Sequence, residues 1–370
     1  MSEKPRISDL HADVRVPFQD MTKPEYTEPP NRHSDIGERG EHSVLARLQE
    51  FGVSDPDLQS AGIENLREMT EEQYEALLGR AVQEQFSLIF ANAFDHWKEG
   101  SVEQQWDSIR KTAQMVKKWK SNWGLDLVLR GEDIRTERPS AVLTLEGLYL
   151  LEHLKNPKQE DVDRVLADIH AIGIRSVVLQ YNEPTALAEW NEGLTVLGEY
   201  TVRGLLERNM LVDLAHARPA TRLDILRLAE DTGHGQQILF SHGAPSTEVA
   251  SNPLNHPLEV QRGLSDEEIQ RIMKMGGIIG LSVTRPFTES PECLARTFDR
   301  LAQFEYGPQS LALGTDFGGI APSFSVGMLS PSEVALKLGD ALSERVGASD
   351  AHVAAILRTN AQQWVQKVLK

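Results

Sequence analysis

The segment LVDLAHARPATRLDILRLAEDTGHGQQILFSH, residues 211–242, contains the pattern that decides the fold. Two short apolar runs, Leu211–Leu214 and Gln237–Phe240, flank a helical stretch, and a histidine follows each run, His216 and His242. A strand, a helix and a second strand in this order imply parallel pairing through a helical crossover. We therefore predict a β-α-β unit in which each strand ends just before a histidine.

The same alternation of apolar runs and helical patterns continues along the chain. The eight candidate strands are Ile7–Leu10, Leu125–Leu129, Ala141–Leu145, Ile174–Leu179, Leu211–Leu214, Gln237–Phe240, Gly277–Val283 and Ser310–Leu313. Eight such units predict an α/β fold of the closed (β/α)8 type, a TIM-type barrel. We assign Glu71–Trp97 to one long helix because its apolar residues recur at close to helical spacing, and Ser265 with Glu268 predicts a capped helix start.

The chain length fits one barrel with additions, and we predict a single domain over residues 1–370. Residues 19–41 are rich in proline and charge, and they form a long insertion after the first strand, on the face where barrels carry their active sites. A lid, a partner contact and a disordered insertion all fit this segment. Pro331–Arg345 and Ser349–Lys370 are expected to be C-terminal helices, with residues 346–370 as a helical tail.

Composition excludes several classes of partner. The net charge of −17 argues against nucleic acid and against an anionic membrane. The single cysteine, Cys293, cannot form an intramolecular disulfide, and the sequence has neither an apolar signal core nor a window of about 20 apolar residues. We predict a cytoplasmic protein that acts on a small molecule. A homodimer is the expected assembly, because dimers are the commonest oligomers.

Five of the predicted strands are followed by residue types that bind metal ions. These residues are His11 and Asp13, Glu146, His216, His242 and Asp316. Because the carboxyl ends of barrel strands converge on one face, we expect the six side chains to lie together. Imidazole and carboxylate suit zinc and related divalent ions. Each residue alone has an ordinary structural explanation, and Asp316 before Phe-Gly-Gly has the composition of a turn, so the joint pattern carries the prediction.

The pattern is typical of a site for two metal ions. Side chains two apart on a strand point the same way, so His11 and Asp13 can bind one ion. Glu146 can bridge to a second ion, which His216 and His242 complete. Two ions can hold a hydroxide and polarise a carbonyl, while Asp316 handles the proton. We therefore predict Glu146 and Asp316 as catalytic residues.

These motifs resemble the membrane (renal-type) dipeptidases, peptidase family M19 of the amidohydrolase superfamily. The matching segments run in order over nearly the whole chain: Asp9-Leu10-His11-Ala12-Asp13, Glu146-Gly147, Gly193-Leu194-Thr195, Asp213-Leu214-Ala215-His216, Phe240-Ser241-His242 and Gly314-Thr315-Asp316. The resemblance implies two zinc ions bridged by Glu146, with Asp316 in proton transfer. It also implies hydrolysis of a dipeptide, including dipeptides with a D- or dehydro C-terminal residue.

Two substrate-binding positions depart from the family. The family's His after the fourth strand is missing from residues 178–182, and no Arg follows the Phe-Ser-His segment before Arg262. Arg285, after the seventh strand, is a candidate for the substrate carboxylate, although a surface role fits it equally well. Tyr181 or Gln180 could donate to an oxyanion. His256, in the loop after the sixth strand, is a further substrate-binding candidate.

These departures keep two other functions open. The first is the same metal centre acting on a non-peptide, specialised-metabolite substrate, by hydrolysis or by another reaction. The second is a non-catalytic protein that kept the barrel. The presence of all six site residues argues against the non-catalytic protein.

Overall fold

The computed structural model describes residues 6–14, 48–63, 69–94, 101–152, 154, 157–251, 260–285, 287–318 and 326–370. The insertion at residues 19–41 and His256 lie outside the described residues. The strands are β1 Ile7–Ala12, β2 Phe86–Phe94, β3 Asp126–Leu127, β4 Ser140–Glu146, β5 Ile174–Val178, β6 Ala188–Glu189, β7 Gly193–Leu194, β8 Leu211–Asp213, β9 Ile238–Phe240, β10 Ile278–Leu281 and β11 Leu311–Leu313.

Eight parallel strands close into a barrel in the order β1, β2, β4, β5, β8, β9, β10 and β11. The ring closes where Asp9 of β1 pairs with Leu313 of β11. The short β3 pairs with the beginning of β4, and β6 and β7 form a separate antiparallel ribbon. The predicted (β/α)8 TIM-type barrel is thus confirmed.

Helices surround the barrel. The α-helices are α1 Asp55–Ser60, α2 Glu71–Gln85, α3 Val102–Trp123, α4 Gln159–Ile172, α5 Val196–Glu207, α6 Pro219–Asp231, α7 Ser246–Ser251, α8 Asp266–Met275, α9 Pro291–Ala302, α10 Gly307–Ser310, α11 Pro331–Glu333, α12 Gly339–Val346, α13 Asp350–Ala354 and α14 Asn360–Val368. Short 3₁₀ segments occupy Gly131–Asp133, Tyr149–Leu151 and Gly235–Gln237, and π segments occupy Val334–Leu338 and Ala355–Thr359. The predicted capping box of Ser265 and Glu268 begins α8. Among the described residues, no helix combines the length and the apolar character that crossing a bilayer requires.

The second barrel strand corrects the sequence prediction. The predicted helix Glu71–Trp97 is too long, since α2 ends at Gln85 and Phe86–Phe94 is a strand that pairs with both β1 and β4. Leu125–Leu129 is not a barrel strand, because only the two residues of β3 pair there. A strand buried on both faces has a continuous apolar run, and periodicity alone cannot distinguish such a run from a buried helix.

The barrel interior is apolar and closed at one end. Inward-facing residues from the strands pack with the last helix: Leu10, Leu88, Phe90, Val142, Leu211, Leu239, Ile278 and Ala312 with Trp364, Val365 and Val368. The Trp364 indole donates to the carbonyls of Gln236 and Gly276, each two residues before β9 or β10, at 3.2 and 3.1 Å. Helix α14 therefore plugs the amino-terminal end of the barrel, which leaves the carboxyl-terminal end for the site.

An irregularity in β1 aims the first two site residues. Asp9 pairs with Ile89 and Ala12 with Ala91, so three steps of β1 correspond to two steps of β2. Such a bulge re-aims the side chains that follow it. Leu10 consequently packs in the barrel interior, while His11 at the next position reaches the carboxyl-terminal mouth.

Candidate metal centre

The six predicted metal ligands lie together at the carboxyl-terminal mouth of the barrel, and all six are buried. Within the described residues they form three overlapping groups, in each of which the ligand atoms lie within 4.8 Å of one another. The groups are His11, Asp13 and Glu146; Glu146, His216 and His242; and His11, His242 and Asp316. The structure thus brings together every residue that the strand ends predicted.

Glu146 lies between the two sides of the cluster. Its Oε2 atom is 3.6 Å from His11 Nε2, and its Oε1 atom is 2.8 Å from His216 Nε2. Asp316 Oδ1 is 3.7 Å from His11 Nε2, so this carboxylate lies on the His11 side. The two oxygens of one carboxylate therefore face two different sets of ligand atoms, which is the arrangement that a bridging ligand needs.

The donor atoms fit divalent cations. His216 Nδ1 lies 2.8 Å from Asn182 Oδ1, which can only accept, so the imidazole proton sits on Nδ1 and Nε2 carries a lone pair. This Nε2 atom lies 2.9 Å from His242 Nε2 and faces Glu146 Oε1, which has no hydrogen-bond donor among the described residues. The lone pair of His216 Nε2 and the buried Glu146 Oε1 face one another at 2.8 Å, and a cation between them would offset their repulsion. The residues present therefore fit a metal ion.

The charges of the cluster shift the pKa values of its members. Burial disfavours the charged form of Glu146, but His11 and His216 beside it hold its pKa well below the ordinary value. Burial would lower the pKa of His11, yet the carboxylates of Glu146, Asp13 and Asp316 raise it well above the ordinary value. The protein groups alone thus keep Glu146 ionised and place a positive charge on His11, where a cation would compensate the same carboxylates.

The other two histidines and Asp316 respond differently. Burial, and then the positive charge of Arg262, lower the pKa of His216 to about 4. Burial also lowers the pKa of His242 well below the ordinary value. Burial, with the negative charges of Asp13 and Glu146, raises the pKa of Asp316 well above its usual range. Two neutral imidazoles are ready to bind a metal ion, and one carboxyl group is able to hold a proton.

Two site residues adopt an uncommon backbone conformation. His216 and Asp316 have φ values of 63° and 61°, in the left-handed region that side-chain-bearing residues seldom occupy. Such strain persists only where surrounding contacts fix it, and it clusters at functional sites. Here each residue lies three positions after the last residue of a barrel strand, so the turn directs its side chain into the mouth.

Asn92 is a site residue that the sequence analysis missed. Its Nδ2 group donates to Asp13 Oδ1 at 2.7 Å and to Glu146 Oε2 at 3.0 Å, and its Oδ1 accepts from Thr144 Oγ1 at 3.0 Å. The side chain therefore orients two carboxylates of the cluster. The signal was an asparagine within the apolar run Phe86–Phe94, and it was lost when that run was assigned to a helix.

Two buried aspartates tie together the loops that carry the ligands. Asp9 Oδ1 accepts from the backbone N–H of Thr315 at 2.9 Å, and Asp213 Oδ1 accepts from that of Ser241 at 3.0 Å. Burial raises the pKa of both carboxyls to about 6. Each aspartate thus fixes the residue just before a predicted ligand, which is Asp316 for Asp9 and His242 for Asp213. The sequence motifs did not reveal this role.

The predicted substrate-binding residues lie in different places. The ring of Tyr181 is 4.3 Å from the ring of His216, so Tyr181 borders the cluster. Gln180 is buried, and its Nε2 donates to the Glu183 carbonyl at 3.3 Å. Arg285 is exposed, and within the described part of the chain it makes no hydrogen bond or ion pair. Its predicted role is therefore not supported by any contact with the cluster.

The sequence analysis gave Arg262 no role, but the structure places its side chain beside the cluster. Its Nη2 is 3.2 Å from His216 Nε2, and its guanidinium lies over the ring of Phe287, 5.1 Å from the centroid. Its buried Nε has no acceptor among the described residues. The only sequence signal was that Arg262 is the first arginine after His242.

Comparison with known proteins identifies the family. The sequence matches the family model for membrane dipeptidase (peptidase family M19) over residues 43–370. The chain belongs to this family. The predicted family is thereby confirmed, and the predicted class of enzyme, a metal-dependent hydrolase of the dipeptidase type, agrees with it.

Individual relatives are distant. An uncharacterised dipeptidase of Schizosaccharomyces pombe is 25% identical over 171 residues, and the match spans 42% of this chain and 38% of that protein. Among solved structures, the metallopeptidase dipeptidase AC of family M19 has a TM-score of 0.67 at 16% identity, with 99% of both chains covered. A Rhodobacter sphaeroides metallopeptidase bound to a phosphinate mimic of L-Ala-D-Ala has a TM-score of 0.63 at 17% identity, with 99% of both chains covered. At these identities the structures show that the barrel fold is shared.

Proposed function

We propose that this M19 protein is a dinuclear metal dipeptidase that hydrolyses the amide bond of a dipeptide or of a small amide of similar size. The observation that carries the proposal is the sharing of ligands among the three groups of metal-binding side chains. Glu146 belongs to two of these groups, with one oxygen toward each. This is the arrangement expected for two ions on one carboxylate.

His11, Asp13 and Glu146 would hold the first ion, and Glu146, His216 and His242 the second. Two divalent ions there, which we infer to be zinc from the imidazole and carboxylate donors, would supply Lewis acidity and a nucleophile at neutral pH. Asn92 keeps the shared carboxylate in place, because it donates to Glu146 Oε2 at 3.0 Å. Residues that orient metal ligands in this way contribute directly to metal affinity.

Asp316 is the proton carrier in this proposal. Its raised pKa allows the carboxyl to hold a proton released during attack on the carbonyl and to deliver that proton to the leaving amine nitrogen. Its position on the His11 side of the cluster, 3.7 Å from His11 Nε2, keeps it beside the reacting centre. Glu146, in contrast, has a lowered pKa and stays ionised as a ligand.

Arg262 is proposed as the anchor for the substrate carboxylate. A guanidinium binds a carboxylate through two parallel hydrogen bonds, and Arg262 presents its Nη2 beside the cluster. Tyr181 borders the same space and is the better candidate for an oxyanion donor. Gln180 is the poorer one, because its Nε2 already donates to Glu183 and its Oε1 can only accept.

A second candidate is a non-peptide amide at the same metal centre. The observation that favours it is the aromatic ring of Tyr181 against His216, in the segment where the family's substrate-binding histidine is missing. A ring there gives the pocket a different shape and removes one donor. The predicted cytoplasmic location and homodimer stay predictions.

Metal analysis combined with a dipeptide panel tests both candidates. We expect two metal ions per chain after reconstitution, and turnover of L-L or L-D dipeptides. Fewer than one ion per chain after reconstitution would exclude the dinuclear centre. Two bound ions without turnover of any dipeptide would favour the non-peptide substrate.

A further inference from the structure

We propose that Arg222 is a positioning residue that holds Arg262 at a fixed distance from His216 and thereby sets which substrate length the site accepts. The proposal rests on the function proposed above for Arg262 as the carboxylate anchor. It concerns a side chain that lies away from the metal ligands, on α6, and that the motifs do not include.

Arg222 is buried, with 1% of its surface exposed, and each of its five N–H donors has an acceptor. Its Nε and Nη2 donate to Glu268 Oε1 and Oε2 at 2.6 and 3.2 Å. Its Nη1 donates to the carbonyls of Ala217 and Gln261 at 2.7 and 2.9 Å. Its Nη2 also donates to the carbonyl of Gly263 at 3.1 Å. A buried ion pair with every donor satisfied is a rigid element.

The three carbonyls belong to the two segments that meet at the site. Ala217 directly follows His216, while Gln261 and Gly263 are the residues on either side of Arg262. One guanidinium therefore joins the carbonyl of the residue after His216 to the carbonyls of the two residues that flank Arg262. The result is the 3.2 Å separation between Arg262 Nη2 and His216 Nε2.

The segment after Arg262 is fixed by further contacts. Leu264 pairs with Pro245 in a parallel bridge, and a Cβ at Gly263 would lie 2.6 Å from Ser246 Cα. Glu268, the partner of Arg222, also accepts from the N–H of Ser265 at the start of α8. Arg262 thus leaves a backbone that has little freedom to move toward or away from the metal ligands.

A fixed anchor selects substrates by length. A C-terminal β-amino acid puts one more carbon, about 1.5 Å, between the carboxylate and the scissile carbonyl than an α-amino acid does. Misplacement by about 1 Å can cost on the order of a hundredfold in rate. Loosening the anchor should therefore harm the α-dipeptide more than its β-homologue.

The test compares Arg222→Lys with a matched control, Arg271→Lys. Arg271 of α8 binds Glu230 of α6 through two bonds of 2.7 Å, so it joins the same two helices at a place remote from Arg262. The readout is the ratio of kcat/KM for glycyl-L-alanine to that for glycyl-β-alanine. We expect the wild-type ratio in Arg271→Lys and a ratio lower by about tenfold in Arg222→Lys, with the loss for glycyl-L-alanine mainly in KM. An equal ratio in both variants would overturn the proposal.

Two further measurements keep the test decisive. If Arg222→Lys does not fold, the double variant Arg222→Met with Glu268→Met replaces a buried ion pair by apolar side chains of similar volume, a change that proteins often tolerate. Crystal structures of the wild type and the variant give a readout without substrate. An Arg262 Nη2 to His216 Nε2 distance unchanged from the wild type would refute the positional role, and an increase of about 1 Å or more would support it.

The anchor itself is tested separately by Arg262→Met. If this variant keeps the wild-type KM and the wild-type ratio, the anchor role of Arg262 is refuted, and with it the effect on substrate length. The positional role of Arg222 is then still decided by the crystallographic distance. Failure of the proposed function and failure of the positioning role are thus distinguishable.

Discussion

The contact between Asn92 and the carboxylates Asp13 and Glu146 makes a quantitative prediction about metal affinity. Asn92 is fully buried and donates to these two carboxylates at 2.7 and 3.0 Å. Hydrogen bonds to charged groups contribute about 1.5–3 kcal/mol each. The Asn92→Ala variant loses both bonds, but the carboxylates retain their metal ions, so only part of that energy is lost. We expect a 10- to 100-fold weaker metal affinity, or about 1.4–2.7 kcal/mol.

The assay is competition with a chromophoric chelator, which resolves the two binding steps. The matched control is Thr144→Val, which removes the bond from Thr144 Oγ1 to Asn92 Oδ1 at 3.0 Å and leaves both bonds to the carboxylates. We expect Thr144→Val to lose less than about a third of the metal-binding free energy that Asn92→Ala loses. Thr144 forms a neutral hydrogen bond, which contributes about 0.5–1.5 kcal/mol, and it influences the carboxylates only through Asn92. The reasoning is wrong if Asn92→Ala binds both ions as tightly as the wild type, or if the two variants lose the same affinity.

Three further predictions concern the same centre. The Glu146→Gln variant loses one charge and its bridging geometry, so one of the two ions should be lost along with most activity; elemental analysis with two retained ions would contradict this. The Arg262→Met variant should raise KM for a dipeptide by about 10- to 100-fold and leave the KM for its C-terminal amide nearly unchanged, because only the former has a carboxylate to lose; equal effects on both substrates would refute the anchor. Because the pKa of His11 is raised, the metal-free protein carries a proton on this side chain, and metal binding must release it. Metal affinity should therefore fall as the pH is lowered, by about tenfold per pH unit where one proton is exchanged. Calorimetry in buffers of different ionisation enthalpy counts the released proton. No proton release near neutral pH would show that His11 is already neutral.

The strand-end residues were predictable because their positions depend on local sequence. His216 and His242 each follow an apolar run within one β-α-β unit, and parallel strands place their carboxyl ends on one face. The convergence of the residues needs only a closed barrel. It does not need the exact strand boundaries, so the error in the second strand left these ligands in place.

That error did conceal Asn92. The run Phe86–Phe94 faces the barrel interior through Leu88 and Phe90 and the helices through Ile89 and Ala91, so its pattern has no polar side. Only the pairing of β2 with β1 and β4, which joins segments far apart in the chain, distinguishes it from a helix. An asparagine in such a run becomes recognisable as a site residue once the strand is known.

Two arginines illustrate what local sequence cannot decide. Arg285 follows a barrel strand closely, which made it the natural candidate, whereas Arg262 lies 20 residues beyond His242. The structure leaves Arg285 exposed, where solvent weakens its attraction for a carboxylate and where binding would cost the entropy of a mobile side chain. Arg262 is already ordered against Phe287 and lies beside buried ligands, where the same attraction is stronger. Arg262 differs from Arg285 in this respect because Arg222 donates hydrogen bonds to the backbone on either side of Arg262, across 39 and 41 residues of the sequence. An anchor ordered in advance binds its carboxylate at a lower entropic cost, and this is the physical reason for which Arg262, although more distant in sequence, is the better choice for the substrate.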